Sequence, residues 1–282
     1  MDAVDFVAIG HVTLDRTQSG TRPGGAAYYA ALTAHRLGLR AGLVTSFGPD
    51  FPSDALPPGI AVENVPSERT TVFAVADSDR GRQLTLVSRA ADIEEHQLSD
   101  EWRRAPIGML CPVINEVDPA LAGAFPDAAI GVVPQGWMRE RGAGGLISPR
   151  GWDDADLVLP HAQLVVVSFE DIEPFQQVAI EWFQHVPLAA VTRGRDGAHL
   201  FVNGERYHVA PDPATEVDAT GAGDVFATAL LVEYQREGNA WDAAAAAACA
   251  AAASVEGLGA ASIPDRSTLT ARLAAYRRRL GG

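Results

Sequence analysis

The chain has 282 residues, 47% of them hydrophobic and 21% charged, the profile of a globular protein with one sizeable core rather than of a disordered or fibrous one. A formal net charge of -14 argues against a nucleic-acid footprint; the acidic start MDAVDFVAIG and the lack of any apolar run near the ~20 residues of a membrane span point to a cytoplasmic protein without a membrane partner. All 22 basic residues are arginine, and the absence of lysine excludes a P-loop, a Schiff base and a catalytic lysine amine.

In chain order, Val4 to Gly10 is an apolar run ending in glycine, and Ala26 to Leu37 is alanine-rich and closes on Gly38, which predicts strand, loop, helix. Arg40 to Ser46 gives a second strand. Thr70 to Ala76 and Gln83 to Ser88 are β-rich runs joined by DSDRGR, a hairpin rather than a crossover helix, and so a small lid or an interface sheet. Ile107 to Pro112, Ala128 to Val133, Leu164 to Ser168 and Pro187 to Thr192 follow as short apolar strands, and Asn203-Gly204 marks a tight hairpin turn. Ala222 to Gln235, Trp241 to Glu256 and Ser267 to Leu280 read as helices, the middle one closely packed because alanine dominates it. Cys111 and Cys249 read as buried free thiols. No repeat or linker divides the chain, so the alternation predicts one α/β domain over 1–282 with a mostly parallel sheet and a β lid around 70–88.

The strongest chemical signal is Val217-Asp218-Ala219-Thr220-Gly221-Ala222-Gly223-Asp224, which leads directly into the amphipathic run VFATALLVEY. Small residues there let backbone N–H groups approach a ligand, and a helix N-terminus favours an anion such as a phosphoryl group. Asp224 falls in the first helical turn beside it, where a carboxylate can take a proton from an attacking hydroxyl; the plainer alternative is a glycine turn whose aspartate only complements the helix dipole.

VDATGAGD resembles the C-terminal signature of the ribokinase-like (PfkB) carbohydrate kinases. The resemblance implies a three-layer α/β/α sandwich with a β lid, and ATP and Mg²⁺ as cofactors. It puts the catalytic base on Asp224 and the anion hole for the γ-phosphate on Gly221, Ala222 and Gly223, with Thr220 beside the nucleotide. Asp218 would help to organise the metal, although it reads almost as well as a turn residue. Thr192-Arg193-Gly194-Arg195-Asp196-Gly197 is similar to the family's nucleotide loop and implies that Thr192, Arg193, Gly194 and Gly197 line the phosphates, with Arg193 or Arg195 supplying positive charge. Gly24-Gly25 and the segment Gly10 to Asp15 resemble the substrate motif, which makes Asp15, Gly24, Gly25 and Tyr29 substrate residues.

The sequence departs from the family where Tyr28 and Tyr29 stand near the usual asparagine; such a pair could stack on a base or a ring face. It departs again at Ser168-Phe169-Glu170-Asp171, where an acidic function survives as Asp171 or Glu170 but the family's amide does not. Gln135, Trp137 or Arg139, after the strand AIGVVP, could reach the substrate mouth, a packed loop tryptophan being the equal alternative. Ser254 to Ala261 would border the adenine. The function implied is ATP-dependent phosphorylation of a hydroxyl on a sugar or cyclic polyol. The alternatives are a nucleoside kinase and a non-catalytic sugar- or nucleotide-binding regulator; a dinucleotide oxidoreductase lacks its G-x-G-x-x-G fingerprint. A homodimer through the lid is the protein partner implied, with no nucleic acid.

Overall fold

The structure, a computed structural model, describes residues 3–18, 20–52, 54–56, 58–78 and 81–281. Its elements run β1 Phe6–Ile9, β2 Thr13–Thr17, β3 Gly20–Gly24, α1 Ala26–Arg36, β4 Ala41–Phe47, β5 Ala61–Pro66, β6 Thr71–Ser78 and β7 Gly81–Ser88. The middle of the chain adds β8 Ile107–Leu110, β9 Ala129–Val132, β10 Arg139–Arg141, β11 Ile147–Pro149, α2 Ala155–Val158, β12 Ala162–Ser168, α3 Phe169–Ile172 and α4 Gln176–Gln184. The last third holds β13 Leu188–Thr192, β14 Ala198–Val202, β15 Glu205–Val209, α5 Ala222–Glu237, α6 Ala240–Ser254 and α7 Arg266–Leu280.

Nine strands form the central sheet in the order β15-β14-β13-β12-β9-β8-β1-β4-β5. The run from β13 to β5 is parallel throughout, and β14 and β15 close one edge as an antiparallel hairpin. Alternate residues of its strands enter two separate cores, which makes the fold three layers deep: Phe6, Ala8, Leu164 and Val166 join α1, α5, α6 and α7 on one face. Val7, Ile9, Val165 and Val167 face Trp102, Phe125, Trp137 and α4 on the other. Both faces of the inner strands are covered, so these are continuous apolar runs, with each fully buried Leu, Ile or Phe contributing about 1.5–3 kcal/mol, whereas the edge strand β5, AVENVP, has no buried residue. The expected α/β sandwich is the observed one.

The second sheet is larger than the expected hairpin. β6 and β7 are antiparallel, and β2 adds to β6 in parallel and to β3 in antiparallel fashion, giving the order β3-β2-β6-β7. Asp79 and Arg80 of the expected turn lie outside the described residues. Sequence patterning misses β2 and β3 because TLDRT and GTRPG are short and polar, the second with a proline. The sheet is pinned at its base by buried His11, whose Nε2–H donates to Ala91 O (2.7 Å) while its Nδ1 accepts from Thr71 Oγ1 (2.7 Å). Among the described residues, no helix is long and apolar enough to cross a membrane.

Candidate active site

A cleft of about 1140 Å³ opens between the lid sheet and the C-terminal ends of the parallel strands. This is where open α/β sheets gather their ligand-binding loops. Thr13 and Asp15 of β2, with Phe73 and Leu84 of the lid, form one wall; Val113, Val133, Gln135, Ser168, Asp171 and Thr192, which end or follow central strands, form the floor. The first turn of α5 enters from the remaining side.

α5 lies against the sheet so closely that a Cβ on Gly131 of β9 would stand 2.7 Å from Leu231 Cδ2. That packing fixes where its N-terminus points. α6 and α7 begin with side-chain caps from Asn239 and Asp265, but α5 begins on Gly221, left-handed at φ 79, with no side-chain cap. The ring of Tyr29 packs directly beneath Gly221, where a Cβ would lie 2.4 Å from Cδ1, so only glycine suits both the dihedral and the space. Thr220, Gly221, Ala222, Gly223 and Asp224 all line the cleft, and the Ala222 N–H closes a turn onto Ala219 O at 3.2 Å.

Asp224 is buried at the bottom of that turn. Burial pushes its carboxyl up to about 7; the Arg139 guanidinium opposes the rise, and the Asp171 charge adds to it. Arg139 itself reaches in from β10, with Nη1 donating to Val113 O (2.9 Å), Nη2 donating to Gln135 Oε1 (2.9 Å) and the guanidinium 6.0 Å from the centre of the Phe73 ring. Burial lowers its pKa while Asp171 and Asp224 resist that. Asp171 is held above its ordinary value by burial, against the attraction of Arg139. This end of the cleft thus combines three acids, Asp15, Asp171 and Asp224, with one arginine.

The substrate residues expected from the sequence divide. Asp15, Gly25, Tyr29 and Gln135 line the cleft. Gly24 does not; it gives room to Asp15, whose Oδ2 would sit 2.7 Å from a Cβ there and whose Oδ1 accepts from Thr13 Oγ1 at 2.9 Å. Tyr28 and Tyr29 do not offer two open stacking faces. Their rings meet edge-on at 5.5 Å, both are buried, and the Tyr28 hydroxyl donates to Ala55 O. Burial first, then the charges of Asp15, Asp218 and Asp224, push the Tyr29 hydroxyl up. Trp137 lies in the core, stacked on Trp152 and donating from Nε1 to Val117 O at 2.8 Å, while Arg139, two residues on, reaches the cleft.

On the donor side Thr192, Gly194, Arg195 and Gly197 line the cleft and Arg193 does not. The Arg193 guanidinium lies 4.9 Å over the Phe169 ring, a cation–π contact that turns it away from the cleft. Arg195 is paired with Glu216 at 3.1 Å. Asp218 also departs from its expected place. Instead of facing the cleft with Asp171, it accepts hydrogen bonds from Thr220 N (3.0 Å), Gly259 N (3.0 Å) and Arg22 Nη1 (2.9 Å). Beyond these loops the wall is a largely apolar slot of Pro211, Pro213, Ala248, Ala251, Ala252 and Val255, with Asp212 and Thr215 among them; Val255 falls in the expected 254–261 segment and the α6 alanines lie just before it.

Residues 138–266 match the family described as pfkB family carbohydrate kinase. Over 254 residues, 83% of this chain and 89% of the relative, the sequence is 26% identical to the cytidine kinase of Thermococcus kodakarensis. Over 69 residues, 24% of this chain and 17% of the relative, it is 44% identical to an inositol 3-kinase of Zea mays. The fold superposes with a TM-score of 0.79 on a pyrophosphate-dependent kinase in the ribokinase family, complexed with a pyrophosphate analog and myo-inositol, at 20% identity and with 94% of this chain and 99% of that one covered. The resemblance that the motifs carry therefore holds.

Proposed function

We propose that this chain, a ribokinase-like protein with the PfkB match over residues 138–266, is an ATP-dependent kinase that phosphorylates a hydroxyl of a neutral sugar or cyclic polyol. The observation that carries the reading is Asp224: a buried carboxylate, raised to about 7, in the uncapped first turn of α5 and on the same cleft as Asp15. A base poised near neutrality takes the proton of the acceptor hydroxyl as its oxygen attacks the γ-phosphorus. The bond to the β-phosphate oxygen breaks and ADP leaves, while the charge on the transferring group meets the N–H dipoles at the start of α5.

Asp15 is suited to accept hydroxyl hydrogen bonds of the acceptor, and Arg139 and Gln135 to donate them. Three acids against one arginine disfavour an acceptor that is itself an anion. The apolar slot lined by α6 favours a nucleotide as donor; the only basic side chains in the described lining are Arg139 and Arg195, too few to draw in bare pyrophosphate. Among the described residues no group of three or more acids, histidines or cysteines could hold a metal by itself. A Mg²⁺ ion shared between Glu170 or Asp171 and the donor phosphates fits this set, because magnesium keeps waters and binds few protein oxygens; it would neutralise phosphate charge.

A nucleoside acceptor is the second reading, favoured by the similarity to a cytidine kinase and by Phe73 and Leu84 on the lid, against which a ring face could rest. ADP release from Mg-ATP across sugars, inositols and nucleosides, with pyrophosphate as rival donor and Asp224→Asn as control, decides among these. Turnover by Asp224→Asn equal to wild type would remove the assigned base, and ATP binding without turnover on any acceptor would favour a regulator. Homodimerisation through the lid, motivated by exposed Val87 and Leu146, is tested by light scattering.

A further inference from the structure

Arg22 stands opposite Asp15 in the β2–β3 register, so the two side chains leave the lid sheet on the same face. Its Nη1 reaches across 196 positions of sequence to Asp218, at the head of the turn that starts α5. Asp218 is then saturated from three directions. Oδ1 takes the Thr220 N–H, and Oδ2 takes both the Gly259 N–H and the arginine. Burial alone would raise this carboxyl, but the hydrogen bonds from Thr220 and Gly259 and the charge of Arg22 bring it below its ordinary value, so it is the charged form that the site holds. The pair is well shielded, with side chains 33% and 14% exposed.

We infer that Arg22 is a positioning residue that couples the lid to the anion turn: an acceptor held by Asp15 fixes β2 and β3, and Arg22 passes that placement through Asp218 to the backbone of 218–221. Tyr29, between the lid carboxylate and Gly221, supplies the packed base against which the turn is pressed. The inference deepens the kinase reading and rests on it for its purpose, but the latch is measurable without turnover.

The test is amide hydrogen exchange and ADP binding on the full chain, wild type, Arg22→Gln, Arg22→Lys, Asp218→Asn and the double variant Arg22→Lys/Asp218→Asn. In Arg22→Gln the amides of 219–224 and of Gly259 should exchange about tenfold faster, the equivalent of one lost charge-assisted hydrogen bond, while the central strands stay protected. ADP should bind more weakly by a similar factor, and Arg22→Lys should recover part of both. Unchanged exchange at 219–224, or a rise spread evenly over the sheet, would overturn the coupling. Should Arg22→Gln not fold, a cycle of Arg22→Lys with Asp218→Asn takes over: effects on exchange at 219–224 that fail to add support the latch, and additive effects overturn it. With an acceptor from the panel, kcat should fall in Arg22→Gln at saturating ATP. An inactive wild type with the exchange pattern intact would remove the kinase reading and leave the latch standing.

Discussion

The acidity of Asp224 gives the sharpest prediction. With its carboxyl at about 7, the base is about half ionised at neutrality, about one tenth at pH 6 and about nine tenths at pH 8, so kcat/KM should climb nearly tenfold per unit and then level off just above neutrality. Arg139→Met removes the one cation that opposes the effect of burial, so the limb must move to higher pH. The variant should therefore be poor at neutral pH and recover in alkali, a pattern that loss of a mere binding contact does not produce. A coupled ADP-release assay between about pH 5 and about pH 9 reads both profiles, with the acceptor fixed by the panel and kept saturating in a parallel series. A midpoint near the ordinary carboxylate range in wild type, or an unmoved midpoint in Arg139→Met, would show that burial and Arg139 do not set the base.

The same shift has a stability consequence. A carboxyl raised from 3.8 to about 7 contributes stability that is complete below its unfolded value and lost as pH rises through its folded one, on the order of 4 kcal/mol. Asp224→Asn should accordingly melt higher than wild type at pH 8 and no higher near pH 4; a lower Tm at pH 8 would contradict this. Gly221→Ala forces a Cβ into the Tyr29 ring at a left-handed φ, and should lose ADP affinity and most turnover, measured by titration and initial rates, with a stability cost of at least about 1–2 kcal/mol. Trp137→Ala should lower stability by about 3–5 kcal/mol in urea unfolding because the Trp152 stack and the Val117 hydrogen bond go with it.

The inner strands of the central sheet were legible because a doubly covered parallel strand has no polar face to blur its signal, while the edge strand β5, AVENVP, was missed because none of it is buried; α1, α5, α6 and α7 were legible because glycine or an apolar stripe marks their ends. Asp224 and the turn before it were legible for a different reason: a left-handed N-cap, a close packing contact and a helix start all demand small residues in one short run. The lid was half legible. Its β6 and β7 read as a hairpin, but β2 and β3 are polar strands whose pairing is set by the tertiary fold, through His11 and through Gly24 beneath Asp15. The direction of single side chains was out of reach, since Arg193 and Arg139 differ in what lies beside them, Phe169 for one and buried acids for the other, and not in any local pattern.

Asp218 makes the last distinction physical. A motif reader assigns an aspartate in VDATGAGD to the chemistry, because acids near phosphate sites hold metals. Its neighbours decide otherwise: a carboxylate that already receives two backbone N–H groups and a guanidinium has its lone pairs spoken for, and would have to give up that shell before coordinating an ion. Asp171 is hydrogen-bonded through the Ser168 backbone and feels the charge of Arg139, whose own N–H groups go to Val113 O and Gln135 Oε1; it lines the cleft and sits beside Glu170. Of the two acids, the one left open to the cleft is therefore Asp171, and on the proposed kinase reading a substitution there should change the magnesium dependence of turnover, whereas Asp218→Asn should act on the shape of the turn.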